Sequence, residues 1–138
     1  HIPFIVRGPS VKSGSICSQP VSLIDVYPSL VDLANLEIPS WLDGESIKLQ
    51  INDPSKPRSP AISSYGNANT SIRTNHWRYI RYEDGSEELY DHRNDPNEWF
   101  NLANKSDFLK IKNKLINMIP EDQYPGLKVQ KWFDNFQK

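Results

Sequence analysis

Sulfur is the scarcest resource in this chain, which has one cysteine and one methionine in 138 residues. A lone cysteine excludes an internal disulfide, leaves no Cys/His set at metal-ligand spacing, and gives no reading of the compartment. Long apolar runs are absent too. The longest are a few residues, against the roughly 20 needed to cross a bilayer. Neither sign of charge dominates: 16 Lys and Arg face 17 Asp and Glu, for a formal net charge of -1, and no long run gathers either sign. Nothing electrostatic draws the chain toward nucleic acid or an anionic membrane. Glycine is also scarce, at six, whereas proline reaches 11, so a loop-rich molecule with a small core is expected.

What is present reads as an α+β pattern. Ile2–Val6 is a short apolar run of the buried-strand type, stopped by Gly8-Pro9-Ser10. A helix is expected over Val26–Leu36. Asp25 would cap it, Pro28 would be tolerated in its first turn, Tyr27, Leu30, Val31 and Ala34 would form a buried stripe, and Pro39 would close it. Residues 40–60 read as a loop broken by Pro54, Pro57 and Pro60, with one short segment at Ser46–Ile51. Four runs rich in aromatic and β-branched residues follow, Ala61–Tyr65, Thr70–Thr74, Trp77–Tyr82 and Glu87–Asp91. They predict an antiparallel sheet. Glu83-Asp84-Gly85-Ser86 supplies a tight hairpin, because Gly85 tolerates positive φ. In the third strand Trp77, Tyr79 and Arg81 share one face, and Arg78, Ile80 and Tyr82 the other. A last helix over Asp107–Ile119, capped by Ser106 and stopped by Pro120, places Phe108, Ile111, Leu115, Met118 and Ile119 on one side. Burying those five side chains is worth about 8–15 kcal/mol gross, before ordering entropy, enough to fix the helix on one face of the sheet. The aromatics of the tail 123–138 are expected to dock on this domain or on an absent one.

Two blocks carry a family signature. The first is Pro20-Val21-Ser22-Leu23-Ile24-Asp25-Val26-Tyr27-Pro28-Ser29-Leu30-Val31-Asp32-Leu33-Ala34-Asn35-Leu36. The second is Ser86-Glu87-Glu88-Leu89-Tyr90-Asp91-His92-Arg93-Asn94-Asp95-Pro96-Asn97-Glu98-Trp99-Phe100-Asn101-Leu102-Ala103, with Leu42-Asp43-Gly44-Glu45-Ser46 and Ile72-Arg73-Thr74-Asn75-His76-Trp77-Arg78-Tyr79-Ile80-Arg81-Tyr82 between them. In this order they resemble the C-terminal portion of type I sulfatases of the alkaline-phosphatase-like superfamily, most like iduronate-2-sulfatase-type enzymes. The resemblance implies that residues 1–40 end the large α/β domain, with a strand and a helix, that 41–60 link, and that 61–138 form the C-terminal subdomain. It implies a parent sulfuric ester hydrolase, acting on a sulfated carbohydrate in the periplasm or outside the cell. Formylglycine and calcium would serve as its nucleophile and cation, with the missing N-terminal domain as this segment's partner.

The nucleophile motif, Cys/Ser-x-Pro-x-Arg, is not in this sequence. Cys17 is followed by Ser18-Gln19-Pro20-Val21, which puts proline one position late and offers no arginine. No catalytic residue and no metal ligand is therefore assigned here, His1, His76 and His92 being too scattered for a metal site, and the isolated segment is expected to be inactive. Substrate contacts are expected from the loop Gly66–Thr70, where the amides of Asn67 and Asn69 could donate to sugar hydroxyls, and from Arg73, whose fork suits a carboxylate or sulfate. Asn69 stands where related sulfatases often carry histidine. The plainer readings are a polar turn for the loop and pairing with Glu87 or Glu88 for Arg73. Asp91, Asp95 and Glu98 read as turn, helix-start or hairpin carboxylates. Trp77, Tyr79 and Trp99 would make a sugar-stacking platform unless they belong to the core. Two other functions remain open, a related phosphodiesterase or phosphatase of the same superfamily and a stand-alone binding module. The isolated segment is expected to self-associate through residues 1–36 or to leave part of them poorly packed.

Overall fold

A computed structural model describes residues 2–9, 11–66 and 69–120. It divides into two compact units at Pro60/Ala61.

The first unit is organised around a buried carboxylate. A single 3₁₀ turn, Leu23–Asp25, runs into helix α1, Val26–Leu33. Asp25 does not cap α1 as expected. Its side chain accepts Ser22 N–H (2.7 Å) behind the turn, Glu45 N–H (2.9 Å) from the loop 42–47, and Arg58 Nη2 (2.9 Å). Ser29, one helical turn on, donates to Asp25 O and accepts Ile47 N–H at 3.0 Å. The face of α1 that packs is therefore Pro28 and Ser29, both buried. The predicted stripe is not the buried one: Tyr27 is 51% and Leu30 60% exposed, Ala34 is exposed and Val31 half-buried. Periodicity located the apolar side of the helix, but among the described residues no helix or strand of this unit covers it. The helix also ends early. Asn35 takes a left-handed conformation (φ 55°), and the amides of Asn35 and Leu36 donate to Asp32 O (2.9 Å) and Val31 O (3.1 Å). That is the Schellman closure, so Asn35 and not Pro39 stops the helix. A second short helix, α2 (Lys48–Asn52), starts beyond the loop. Gly44 brings that loop against the 3₁₀ turn so closely that a Cβ would lie 2.0 Å from Ile24 O. Residues 2–7, where the apolar run predicts a strand, form none.

The second unit is an antiparallel meander of β1 (Ala61–Tyr65), β2 (Asn69–Arg73), β3 (Trp77–Arg81) and β4 (Glu87–Asp91), in that order across the sheet. The register sets one apolar row, Ile62↔Ile72↔Tyr79↔Leu89. Ile72, Tyr79 and Leu89 are completely buried. Helix α3 (Leu109–Ile116) covers that row with Leu115 buried and Phe108, Ile111, Ile116, Met118 and Ile119 packed around it. This is the apolar side read from the sequence. Ser106 is not the cap of α3; it opens a 3₁₀ turn, Ser106–Phe108, and Phe108 stands at the N-cap. Gly85 takes φ +83° in the β3–β4 hairpin, where Asp84 Oδ1 accepts Ser86 N–H at 2.9 Å. The tail aromatics lie outside the described residues.

Candidate functional site

The Asp-Pro-x-Glu-x-x-Asn-Leu segment is a clamp on the end of the sheet. Asp95, buried, accepts the amides of Trp99 (3.0 Å) and Phe100 (2.8 Å). Burial pushes its carboxyl up, but those two amides and that of Glu98 more than offset this and hold it below the usual carboxylate range. Asn101 then stitches the loop to β4: its Oδ1 accepts Leu89 N–H (3.1 Å) and Ala103 N–H (2.9 Å), and its Nδ2 donates to Glu87 O (3.0 Å). Asn101 lies in the second signature block, where no role of its own is assigned to it; the fold places it just before Leu102, whose amide donates to Leu89 O at 2.8 Å. Between these anchors Glu98 adopts φ +59°, a strained conformation for a residue with a side chain. It is neither a helix start nor a hairpin partner. Its carboxylate accepts Arg78 Nη1 through both oxygens (2.9 and 3.1 Å) and meets His92 Nε2 at 2.7 Å.

Arg78 belongs to the sheet face opposite α3. In the register Arg73 stands directly across from it, Ser71 from Ile80, and Tyr65 from Asn69. Arg73 does not pair with Glu87 or Glu88. Its Nη1 donates to the carbonyls of Thr74 (2.9 Å) and Trp77 (3.4 Å), and partial burial lowers its pKa, with Glu98 opposing that shift and Arg78 adding to it. Glu87 instead takes Lys112 Nζ (2.7 Å) and the Tyr79 hydroxyl on the helix side, and Glu88 takes the Tyr90 hydroxyl at 2.9 Å. The Tyr90 phenol is pushed up to about 12 by burial first and Glu88 second.

Of the three residues expected to meet substrate, Asn67 lies outside the described residues, and Asn69 and Arg73 occupy the two ends of β2. They are therefore not brought together. Asn69 Oδ1 accepts Glu83 N–H at 3.1 Å, tying the start of β2 to the β3–β4 hairpin. The aromatic platform does not form. Tyr79 is wholly buried and Trp77 packs on Phe108 (ring centroids 5.9 Å apart), with the Arg93 guanidinium 5.2 Å from its ring centre, whereas Trp99 is 75% exposed. Cys17 is an exposed thiol, 3.6 Å from Pro54 O. Among the described residues no three His, Cys, Asp or Glu side chains are placed to share a metal ion, so no step through a cation is derived from this chain.

The family model for the C-terminal portion of N-sulphoglucosamine sulphohydrolase matches residues 1–124. The chain belongs to that family. Among curated proteins it is similar to a sulfatase of Formosa agariphila, 36% identical over 82% of this chain and 22% of that protein, and to human arylsulfatase K, 33% identical over 76% of this chain and 23% of that protein. Among solved structures it is similar to BT4656 in complex with its substrate D-glucosamine-2-N,6-O-disulfate, with TM-score 0.56 and 28% identity over 68% of this chain and 22% of that one. The chain thus spans about a quarter or less of the length of these relatives. It is a sulfatase C-terminal domain.

Proposed function

We propose that this chain is the C-terminal part of a sulfuric ester hydrolase acting on a sulfated carbohydrate outside the cytoplasm, and that it shapes the substrate cleft without carrying the nucleophile. One observation carries this reading: a family match over nearly the whole chain, to a segment that in the relatives is about a quarter of the protein, in a sequence without the Cys/Ser-x-Pro-x-Arg motif. Formylglycine and calcium would belong to the rest of the parent, where they would supply the attack on sulfur and charge stabilisation. This chain's residues would position. Asn69, tethered through Glu83, fixes the base of the β1–β2 hairpin, and with Asn67 it would present amide donors to sugar hydroxyls. A site built to hydrogen-bond a hydroxyl rejects analogues lacking it, because its own polar groups are then left unpaired.

The test is kinetic. The 138-residue chain alone should show no turnover of an aryl sulfate or of a sulfated hexosamine, while the longer parent turns over the sugar. Asn67→Ala and Asn69→Ala in the parent should lower kcat/KM for the sugar by about tenfold, equivalent to one lost hydrogen bond, and leave the aryl sulfate rate nearly unchanged. Turnover by the chain alone, abolished in Cys17→Ala, would refute the division of labour. A parent that cleaves phosphate diesters and no sulfate ester would refute the sulfatase assignment.

A further inference from the structure

Charge balances over the chain as a whole and not over its last helix. Between Lys105 and Pro120 stand four lysines, Lys105, Lys110, Lys112 and Lys114, against one acid, Asp107. Lys112 has a carboxylate, Glu87 at 2.7 Å. Lys105, Lys110 and Lys114 are exposed and make no ion pair among the described residues, and Asp107 takes the Ser106 hydroxyl at 3.4 Å. Lys110, Asn113, Lys114 and Asn117 follow at i, i+3, i+4 and i+7, which makes them one stripe on the side of α3 away from the buried Leu115. All four side chains are exposed, and none has a hydrogen-bond or ion-pair partner among the described residues. A helix face that meets only water is ordinarily built otherwise, with acids and bases one turn apart so that they attract. Here Lys110 and Lys114 repel. Lys114 in the last turn suits the helix dipole, but Lys110 stands in the first turn, where a cation is disfavoured. The two asparagines are poor helix formers as well. The stripe therefore weakens the helix that carries it, and local rules are broken in this way at functional positions.

We propose that the stripe Lys110-Asn113-Lys114-Asn117 is an exosite for a sulfated polysaccharide, separate from the loop Gly66–Thr70 assigned to substrate above. The occupant follows from charge and chemistry. The lysine ammoniums are compact positive charges for sulfate groups, and each asparagine amide brings two N–H donors and an acceptor for the hydroxyls between them. The stripe runs about 10 Å along the helix, so it suits a stretch of polymer and not a single anion. Nucleic acid is the poorer occupant, because the stripe has no arginine fork to read a base edge and no aromatic side chain to stack a base. The inference rests on the reading of the parent as an enzyme for sulfated carbohydrate, to which it adds a second contact with a polymeric substrate.

Anisotropy of fluorescein-labelled dextran sulfate titrated with the 138-residue chain tests the exosite. The polymer should bind at about 50 mM salt and be released as salt rises, since exposed charges are screened. Lys110→Gln with Lys114→Gln should weaken binding about tenfold and flatten its salt dependence, whereas Lys110→Arg with Lys114→Arg should retain it. Lys12→Gln, which removes an exposed lysine elsewhere, should change nothing. The melting temperature of the glutamine variant should equal or slightly exceed that of the unchanged chain, because a repulsion is removed, so that lost affinity is not lost folding. Asn113→Ala with Asn117→Ala should cost about fivefold for dextran sulfate and nothing for inorganic polyphosphate, which has no hydroxyl row to recognise. Undiminished binding by the glutamine variant, or an equal loss in Lys12→Gln, overturns the proposal. Equal losses for dextran sulfate and polyphosphate in the alanine variant, or tighter binding of double-stranded DNA than of dextran sulfate, would overturn the carbohydrate occupant. In the parent the glutamine pair should raise KM for a sulfated polysaccharide and leave the aryl sulfate rate unchanged; a parent that turns over the polymer with the same KM sinks the exosite. A parent without sulfate ester turnover, from a chain that still binds dextran sulfate through Lys110 and Lys114, would refute the activity proposed above and leave the exosite standing.

Discussion

Buried polar residues decide more of this structure than the apolar ones that the sequence advertises. Asp25 reads locally as a helix cap, yet its main partner is Arg58, 33 residues away, whose side chain is only 4% exposed. Nothing in the spacing of the two announces that pair. Arg58 Nε and Nη1 are buried without a hydrogen-bond partner among the described residues, so the close, buried Asp25 carboxylate at 2.9 Å, with the more exposed Glu45 carboxylate at 3.8 Å, keeps the guanidinium tolerable there. Removing one member of a buried pair leaves an uncompensated charge. Arg58→Ala should therefore cost the first unit about 3–5 kcal/mol, whereas replacing Asp25 and Arg58 together by apolar residues of similar volume should cost much less. Urea titration of the two variants reads the difference; a single variant as stable as the double one would refute the coupling. Glu98 is illegible for another reason. A left-handed Glu has no propensity signal, and only the partners that hold it, Arg78 and His92, account for it.

At the scale of elements, the sheet was legible because three local signals agree: period-two alternation, β-branched and aromatic content, and turn chemistry at each junction. The four strands fall within one residue of the expected limits, and the apolar side of α3 is the side that packs. The first helix shows where the same method stops. A 3.6-residue period says which side is apolar and not whether anything in this chain covers it. Sheet and helix are also joined by charge, which makes their union pH-dependent. Glu87 is held below its ordinary 4.5 by Lys112 of α3 first and the Tyr79 hydroxyl second, against burial. Arg93 first holds Asp91 below its ordinary 3.8. Carboxyls depressed in the folded state stabilise it fully above their unfolded values and lose that contribution as pH falls through the folded ones. The melting temperature of the sheet unit should thus be flat from neutral pH to about 5 and fall steadily below about 4.5, with the fall reduced in Glu87→Gln. Circular dichroism melts at stepped pH measure this, and a midpoint that rises on acidification would contradict it.

For the whole molecule, the two units present opposite problems to solvent. The second has a closed core between sheet and α3. The first hides mainly polar groups, Asp25, Ser29 and Gln50, and leaves Tyr27, Leu30 and Trp41 exposed, with Tyr27 and Trp41 in ring contact at 6.4 Å. Phe4 and Ile5 are exposed as well. An apolar side of this kind is stable in water only when something covers it. On the reading proposed above the rest of the parent supplies that cover; in the isolated chain a second copy is the nearest substitute. Light scattering should therefore show an apparent mass that rises between about 1 and 100 μM, the range in which apolar patches of this sort pair weakly. Leu30→Glu with Tyr27→Gln should suppress the rise and change the melting temperature of the chain little, because both side chains are more than half exposed and Tyr27 loses only its contact with the equally exposed Trp41 ring. In the parent the same pair should destabilise, since there it would place a charge against an apolar neighbour. A mass independent of concentration, together with a parent indifferent to both substitutions, would mean that residues 1–60 are a self-sufficient unit. The weight would then shift to a binding module that needs no large domain.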